Sequence, residues 1–192
     1  MESPPADPDA AQREAMQRVA QGEIHTFRIV AEALEPRLER FFAQLGVPAS
    51  DRDDLFQETC LRLYRAADRY DPRRPFLPWA LTIARRVMLN WHRARKPTVE
   101  LDEARCVADT QRPVPETGGA DDVWDFARAR LPAAACELLW LRYGEDLEPA
   151  EIASVTRRTP VHVRVLLHRA RAALAAALEH DGTGMRPQGG ER

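Results

Sequence analysis

The chain has 192 residues, 44% of them hydrophobic and 30% charged, with a net charge of −2. That balance fits one medium or two small soluble globular domains and excludes a disordered chain. It also excludes a uniformly basic nucleic-acid binder, because phosphate neutralisation supplies most of such a protein's affinity; a nucleic-acid role here has to rest on local patches and outside help.

The pattern is helical nearly throughout, with no run of alternating apolar and polar β-branched residues, so an all-α fold is expected. Residues 10–45 hold two helical stretches. Ile24, Phe27, Val30 and Leu34 share one face, and Leu38, Phe41, Phe42 and Leu45 continue the stripe until Gly46-Val47-Pro48 ends it. Ser50 is placed to cap the next helix, with Asp51, Asp53 and Asp54 in its first turn where the helix dipole favours negative charge. That helix is predicted to run to about Arg69, with Phe56, Cys60, Leu63, Tyr64 and Ala67 as core. A loop over 70–76 follows, then a helix over about 78–95 burying Ala80, Ile83, Ala84, Val87 and Trp91.

Between 97 and 120 the periodicity fails. Pro97, Pro113, Pro115 and Gly118-Gly119 mark a linker between two helical domains. Helical signal resumes over 121–179, and 180–192 read as a disordered tail. Within this second half, residues 149–155 form a short helix with Ile152 and Val155 inward, and residues 156–159 a turn. Thr159 caps a second helix, Pro160 suits its first position, and Val163, Leu167, Ala170, Leu174 and Leu178 form its packing stripe. Two helices joined by such a turn make a helix-turn-helix, whose second helix enters the major groove. A generic helical hairpin would show the same pattern.

Two charge constellations stand out. Asp54, Gln57, Glu58, Leu61 and Arg65 lie three or four residues apart on one helix face; on spacing alone an ordinary solvated face accounts for them. Residues 71–96 reverse the sign, with Arg73, Arg74, Arg85, Arg86, Arg93, Arg95 and Lys96 against Asp71 alone, and Phe76, Trp79 and Trp91 interleaved. Such cations neutralise phosphates, and aromatic faces stack on unpaired bases at about 1–3 kcal/mol each. Trp91 falls on the apolar stripe and is read as core; for Trp79 and the loop, core and base stacking are equally open.

Cys60, Cys106 and Cys136 lie far apart and are read as reduced thiols rather than a disulfide framework or zinc site. No apolar run is long enough to span a bilayer, and the N-terminus lacks a signal peptide's basic start and apolar core, so a cytoplasmic chain without membrane insertion is expected. No nucleophile–base set, metal spacing or phosphate loop is present, so no catalysis, metal or cofactor is expected.

These residues resemble a known family. Asp53-Asp54-Leu55-Phe56-Gln57-Glu58-Thr59, Leu61-Arg62-Leu63-Tyr64-Arg65, Arg69-Tyr70-Asp71-Pro72-Arg73-Arg74-Pro75-Phe76, Trp79 and Ile83-Ala84-Arg85 are similar to region 2 of the extracytoplasmic-function (ECF) sigma factors. Leu131-Pro132, Glu137, Leu141-Arg142-Tyr143, Glu151-Ile152-Ala153 and Leu167-His168-Arg169-Ala170-Arg171 are similar to their region 4. The resemblance spans roughly residues 22–178. It implies a region 2 helical bundle over 22–96 and a region 4 helix-turn-helix over 121–179, joined by a flexible linker over 97–120, with 1–21 as a tail and the start of the first helix.

The resemblance further implies partners and site residues. Asp54, Gln57, Glu58, Leu61 and Arg65 would dock on the β′ clamp helices of core RNA polymerase, whose β flap is a second contact. Asp71, Arg73, Arg74, Phe76, Trp79, Arg85, Arg86, Asn90 and Arg93 would read the −10 element of promoter DNA and hold the separated strand. Arg157, Arg158, Thr159, His162, Arg164, His168 and Arg169 would read the −35 element as duplex. An anti-sigma factor is an expected partner.

Region 4 departs from the family pattern. Arg157 and Arg158 stand where Gly and an apolar residue are usual, Val165-Leu166 where Ser-Arg is usual, and Glu148 where Ser is usual. Asn90 stands in the basic helix where Asp is common. The expected function is a promoter-directing sigma factor. The alternative is a sigma-like regulator or decoy that binds polymerase or an anti-sigma partner without initiating, and a stand-alone repressor is a third reading.

Overall fold

The computed structural model describes residues 9–95 and 122–184, and every regular element among them is helical. The expected linker over 97–120 lies outside the described residues, as do residues 1–8 and 185–192 of the expected terminal segments.

The first half is a bundle of four α-helices. Helix α1, Ala10–Ala20, buries Ala15, Met16 and Val19. The Asp9 carboxylate ahead of it accepts the Leu77 backbone N–H at 3.0 Å, tying it to the start of a helix far along the chain. Gly22 turns the chain at φ +96°, and the 3₁₀ turn Ile24–Thr26 leads into α2, Phe27–Gln44. This turn rotates Ile24 outward, against the expected stripe, and buries Thr26 instead. The Thr26 hydroxyl is satisfied by the Glu23 and Ala15 carbonyls at 2.7 and 3.2 Å. Val30, Leu34, Leu38, Phe41 and Phe42 of α2 are buried as the periodicity requires.

Helix α3, Ala49–Arg65, begins with Pro48 rather than Ser50 at its cap. The Ser50 hydroxyl faces the Asp51 carboxylate at 3.3 Å and makes no cap bond. Its buried face is Leu55, Thr59 and Leu63, with Phe56 and Cys60 half-buried and Tyr64 exposed. The helix stops at Arg65, short of the expected Arg69, which belongs to the 3₁₀ turn Ala67–Arg69. Helix α4, Phe76–Arg95, buries Phe76, Leu77, Ala80, Leu81, Ala84, Val87 and Met88.

The second half contains α5 (Asp122–Arg130), α6 (Ala133–Leu139), a π turn Trp140–Gly144, α7 (Pro149–Thr156) and α8 (Pro160–Gly184). Helix α8 continues five residues into the tail expected from 180. The two halves pack together. Helix α4 lies against both α3 and α7, and one apolar core runs from Phe41 and Leu81 through to Leu141, Ile152 and Val163.

Candidate nucleic-acid interface

Helix α3 presents Asp54, Gln57, Leu61 and Arg65 to solvent, with Glu58 half-buried beside them. Leu61 is 49% exposed and Tyr64 lies next to it on the same face. The Tyr64 ring meets Phe27 edge-on, centroids 5.9 Å apart, which fixes it on the surface. Arg62 Nε donates to Glu58 at 2.6 Å. Asp51 at the head of the helix is clamped by both terminal nitrogens of Arg95, at 2.7 and 3.0 Å. The face is therefore amphipathic and mixed in charge, with Glu58 and Asp51 paired to arginines, Asp54 and Arg65 exposed, and an apolar centre that an ordinary solvated helix does not require.

The loop before α4 is shaped by Asp71. Its carboxylate accepts the Arg73 backbone N–H at 3.1 Å and the Arg73 guanidinium at 3.3 Å. These bonds, the backbone one first, hold the Asp71 carboxyl below the usual carboxylate range. Arg73 and Arg74 project fully into solvent. Behind them Tyr70, Phe76 and Trp79 pack as a trio with centroids 4.7–6.0 Å apart, and the Tyr70 hydroxyl donates to the Arg74 carbonyl at 2.8 Å. Phe76 is 1% exposed and forms the floor of the loop, while Trp79 is half-buried on the trio's rim. Burial pushes the Tyr70 phenol up to about 12.

Helix α4 then faces the helix-turn-helix. Arg85, Arg86, Asn90 and Arg93 line a cleft of about 320 Å³ together with Thr156, Arg157, Arg158 and His162. Arg85 lies at its inner wall. Its Nε donates to Glu137 Oε1 at 2.6 Å and a terminal nitrogen to Oε2 at 3.3 Å, with the two side chains 12% and 3% exposed. Two further contacts join the halves: Arg37 to Glu145 at 3.6 Å, and Arg128 to the Gln44 side-chain oxygen. Arg128 also pairs with Asp125. Burial raises the Glu145 carboxyl above the usual range against the opposing pull of Arg37 and Arg40. The sequence reading missed Glu137 as a partner of Arg85. The available signal was a lone acid inside the apolar run of α6, a position that burial forbids without a cation.

The helix-turn-helix is built locally. Glu148 caps α7 by a reciprocal capping box with Glu151, whose carboxylate accepts the Glu148 N–H at 2.7 Å. Helix α7 ends on Arg157 in the left-handed region, φ 55° and ψ 44°. The Arg158 N–H closes onto the Ala153 carbonyl at 2.9 Å, a Schellman closure whose left-handed position normally takes glycine. The Thr159 hydroxyl accepts the His162 N–H at 3.3 Å and caps α8 as expected. From α8, Val161, His162, Arg164, Val165, His168 and Arg169 point outward, while Val163 and Leu167 are buried and Leu166 is half-buried against the core. Leu178, expected on the packing stripe, is exposed.

Thus the loop arginines and the outer face of α8 are open, Arg86, Asn90 and Arg93 converge with the turn on one cleft, and Arg85 and Phe76 are turned into the protein. Among the described residues, no group of His, Cys, Asp or Glu side chains is arranged to hold a metal ion, and no helix is long and apolar enough to cross a membrane.

Comparison with known proteins places these elements. The Sigma-70 region 2 family matches residues 30–98 and the Sigma-70 region 4 family residues 127–174. The RNA polymerase sigma factor CnrH of Cupriavidus metallidurans is 27% identical over 188 residues, covering 91% of this chain and 98% of its own length. The ECF RNA polymerase sigma factor SigD of Mycobacterium tuberculosis is 33% identical over 160 residues, covering 78% of this chain and 75% of its own. In fold, the chain is similar to CnrH solved in complex with the cytosolic domain of CnrY, with a TM-score of 0.67 at 24% identity over 89% of this chain and 99% of that one. With both Sigma-70 regions in order on one all-helical chain, and a relative one-third identical over most of its length, the protein belongs to the ECF subfamily of the Sigma-70 family.

Proposed function

We propose that this chain is a promoter-specificity subunit of RNA polymerase. In this reading α3 docks on the β′ clamp helices through Asp54, Gln57, Glu58, Leu61 and Arg65. The loop and helix from Asp71 to Arg93 take the −10 element and its opened strand, and α7–α8 takes the −35 element as duplex. The observation that carries it is the placing of exposed cations on two separate elements, Arg73, Arg74, Arg86 and Arg93 on the loop and α4 and Arg164 and Arg169 on the outer face of α8, in a chain whose α3 instead presents Asp54 and Gln57 around an exposed leucine. The factor itself has no catalytic role, acts in the cytoplasm, and leaves nucleotide chemistry to the polymerase.

The packed arrangement then represents a closed state. Elements centred 25 base pairs apart are separated by roughly 85 Å of duplex at about 3.4 Å per pair, whereas α4 and α7 are in direct contact. A cleft of about 320 Å³ admits no duplex. Reading both elements requires the halves to part, freeing Arg85 from Glu137. Because CnrH is solved with the cytosolic domain of CnrY, we extend the reading to an anti-sigma partner that holds this factor off polymerase.

Run-off transcription with core polymerase and a promoter library tests the proposal. Transcripts starting at fixed positions only when the chain is present are expected. Polymerase binding without any transcript would favour the decoy reading, and specific duplex binding without polymerase a repressor.

A further inference from the structure

Helix α8 exposes two valines where a recognition helix meets base edges. Val161 and Val165 are its second and sixth residues, 67% and 44% exposed, and the N-terminal residues of such a helix are those that reach into the groove. A single exposed valine needs no explanation. These two lie one turn apart on one face, ringed by His162, Arg164, His168 and Arg169, which also point outward. Neither is needed for packing, because Val163 and Leu167 are buried and Leu166 leans on the core. Exposed β-branched residues also lower helix propensity, by about half a kcal/mol each relative to alanine.

We infer that Val161 and Val165 read thymine methyl groups in the major groove of the −35 element. The inference rests on the function proposed above and deepens it by naming what the atypical helix recognises. A valine side chain has no hydrogen-bond donor or acceptor. The thymine C5-methyl is the apolar feature of a base-pair edge in the major groove, and apolar side chains are its partners there. The stiff χ1 of valine holds its methyls in place before contact. Four residues of helix advance about 6 Å, close to two base steps of about 3.4 Å, so the pair addresses thymines about two steps apart. Arg164, lying between them in sequence, is left for a phosphate or guanine contact.

The test uses the holoenzyme, formed from core polymerase and the full chain. A randomised −35 library first yields the preferred element. Each thymine in it is then replaced by deoxyuridine, which removes only the methyl and keeps pairing and every hydrogen-bonding atom. Promoter-dependent transcription at limiting holoenzyme is expected to fall about fourfold per contacted methyl, at one or two positions. The Val165→Ser factor is expected to transcribe thymine and deoxyuridine templates equally at one of them. Strong transcription unaffected by deoxyuridine at every −35 position would overturn the inference and leave the proposed function standing. Absence of any promoter-dependent transcript would overturn the proposed function and the inference together. The deoxyuridine arm needs no variant protein, so misfolding cannot mask the result.

Discussion

Removing Glu137 tests whether the closed arrangement is held electrostatically. In Glu137→Ala the Arg85 guanidinium loses two charge-assisted bonds at 2.6 and 3.3 Å while its side chain remains 12% exposed. Deleting one member of a buried pair costs about 3–5 kcal/mol, because the other charge stays desolvated. On the closed-state reading the chain has an outlet besides unfolding: the halves can part, exposing the apolar contacts they share and returning Arg85 to water. The penalty should therefore appear as opening rather than unfolding. Small-angle scattering should show a larger radius of gyration for Glu137→Ala, with the helical circular dichroism retained. In the double variant Arg85→Met/Glu137→Leu, apolar side chains of similar size replace the pair, and such replacement is neutral or stabilising, so the compact state should return. If Glu137→Ala stays as compact as the parent with a melting temperature changed by less than the equivalent of about 0.5 kcal/mol, a magnitude typical of surface substitutions, the pair does not hold the halves together.

Other consequences are open to measurement. Leu61→Ala combined with Gln57→Ala should weaken binding to core polymerase about tenfold, since a half-exposed leucine buried on docking contributes about 1 kcal/mol or more; unchanged affinity in a fluorescence titration would remove α3 from the docking face. Arg157→Gly should raise the melting temperature, because a left-handed arginine is strained by about 1–2 kcal/mol and glycine returns part of that as chain entropy. The same change should lower holoenzyme affinity for the −35 element and reduce its salt slope by about one; a promoter affinity and slope equal to the parent's would exclude phosphate contact. Glu145, its carboxyl raised by burial, binds its proton more tightly in the folded chain than in the unfolded one. Its contribution to stability is present below the unfolded carboxyl range and lost as pH rises through its raised folded value. Glu145→Gln should accordingly flatten the fall in melting temperature over that interval relative to the parent, and identical profiles would refute the assignment.

Local periodicity carried most of the fold, and its failures have physical causes. After the α3 cap the apolar pattern pointed to Phe56, Cys60, Leu63, Tyr64 and Ala67; Leu63 and Ala67 are buried, yet the α3 face turned to the core is completed by Leu55 and Thr59, with Phe56 and Cys60 half-buried and Tyr64 exposed. Threonine counts as polar in any hydropathy pattern, but Thr59 donates its hydroxyl to the Leu55 carbonyl at 2.7 Å and enters the core with its hydrogen bond already made. Cys60 is half-buried instead, its thiol pushed up to about 11 by desolvation. At the site, outward positions such as Asp54 and Arg164 were legible because helix spacing fixes direction, and Arg73 because it falls in a loop. Pairs across the halves were not. Arg85 and Glu137 lie 52 positions apart, and no pattern within one helix reveals which distant carboxylate a guanidinium will meet. Charge alone placed Arg85 with its neighbours Arg86 and Arg93, and packing turns its guanidinium onto Glu137 at the inner wall of the cleft they share.

The positions at which the chain departs from the ECF pattern discriminate between a promoter reader and a decoy. The packing of the helix-turn-helix is intact: Ile152, Val155, Val163, Leu167 and Ala170 are all buried. Glu148 replaces the usual serine yet completes a capping box, so α7 keeps its start. The remaining departures of the motif, Arg157, Arg158 and Val165-Leu166, cluster at the turn and the start of α8, the part of such a motif that meets the groove, with Arg157 and Val165 exposed and Leu166 leaning on the core. Arg157 is informative because glycine would fit its backbone conformation with less strain. In a helix-turn-helix with no duplex to bind, a left-handed arginine brings strain and no compensating contact. Against duplex DNA the same strain aims a guanidinium at the phosphates from a fixed turn, and backbone strain of this kind persists where binding uses it. The atypical residues thus change what region 4 offers to a base pair while leaving what holds it folded, which favours altered −35 recognition over its loss.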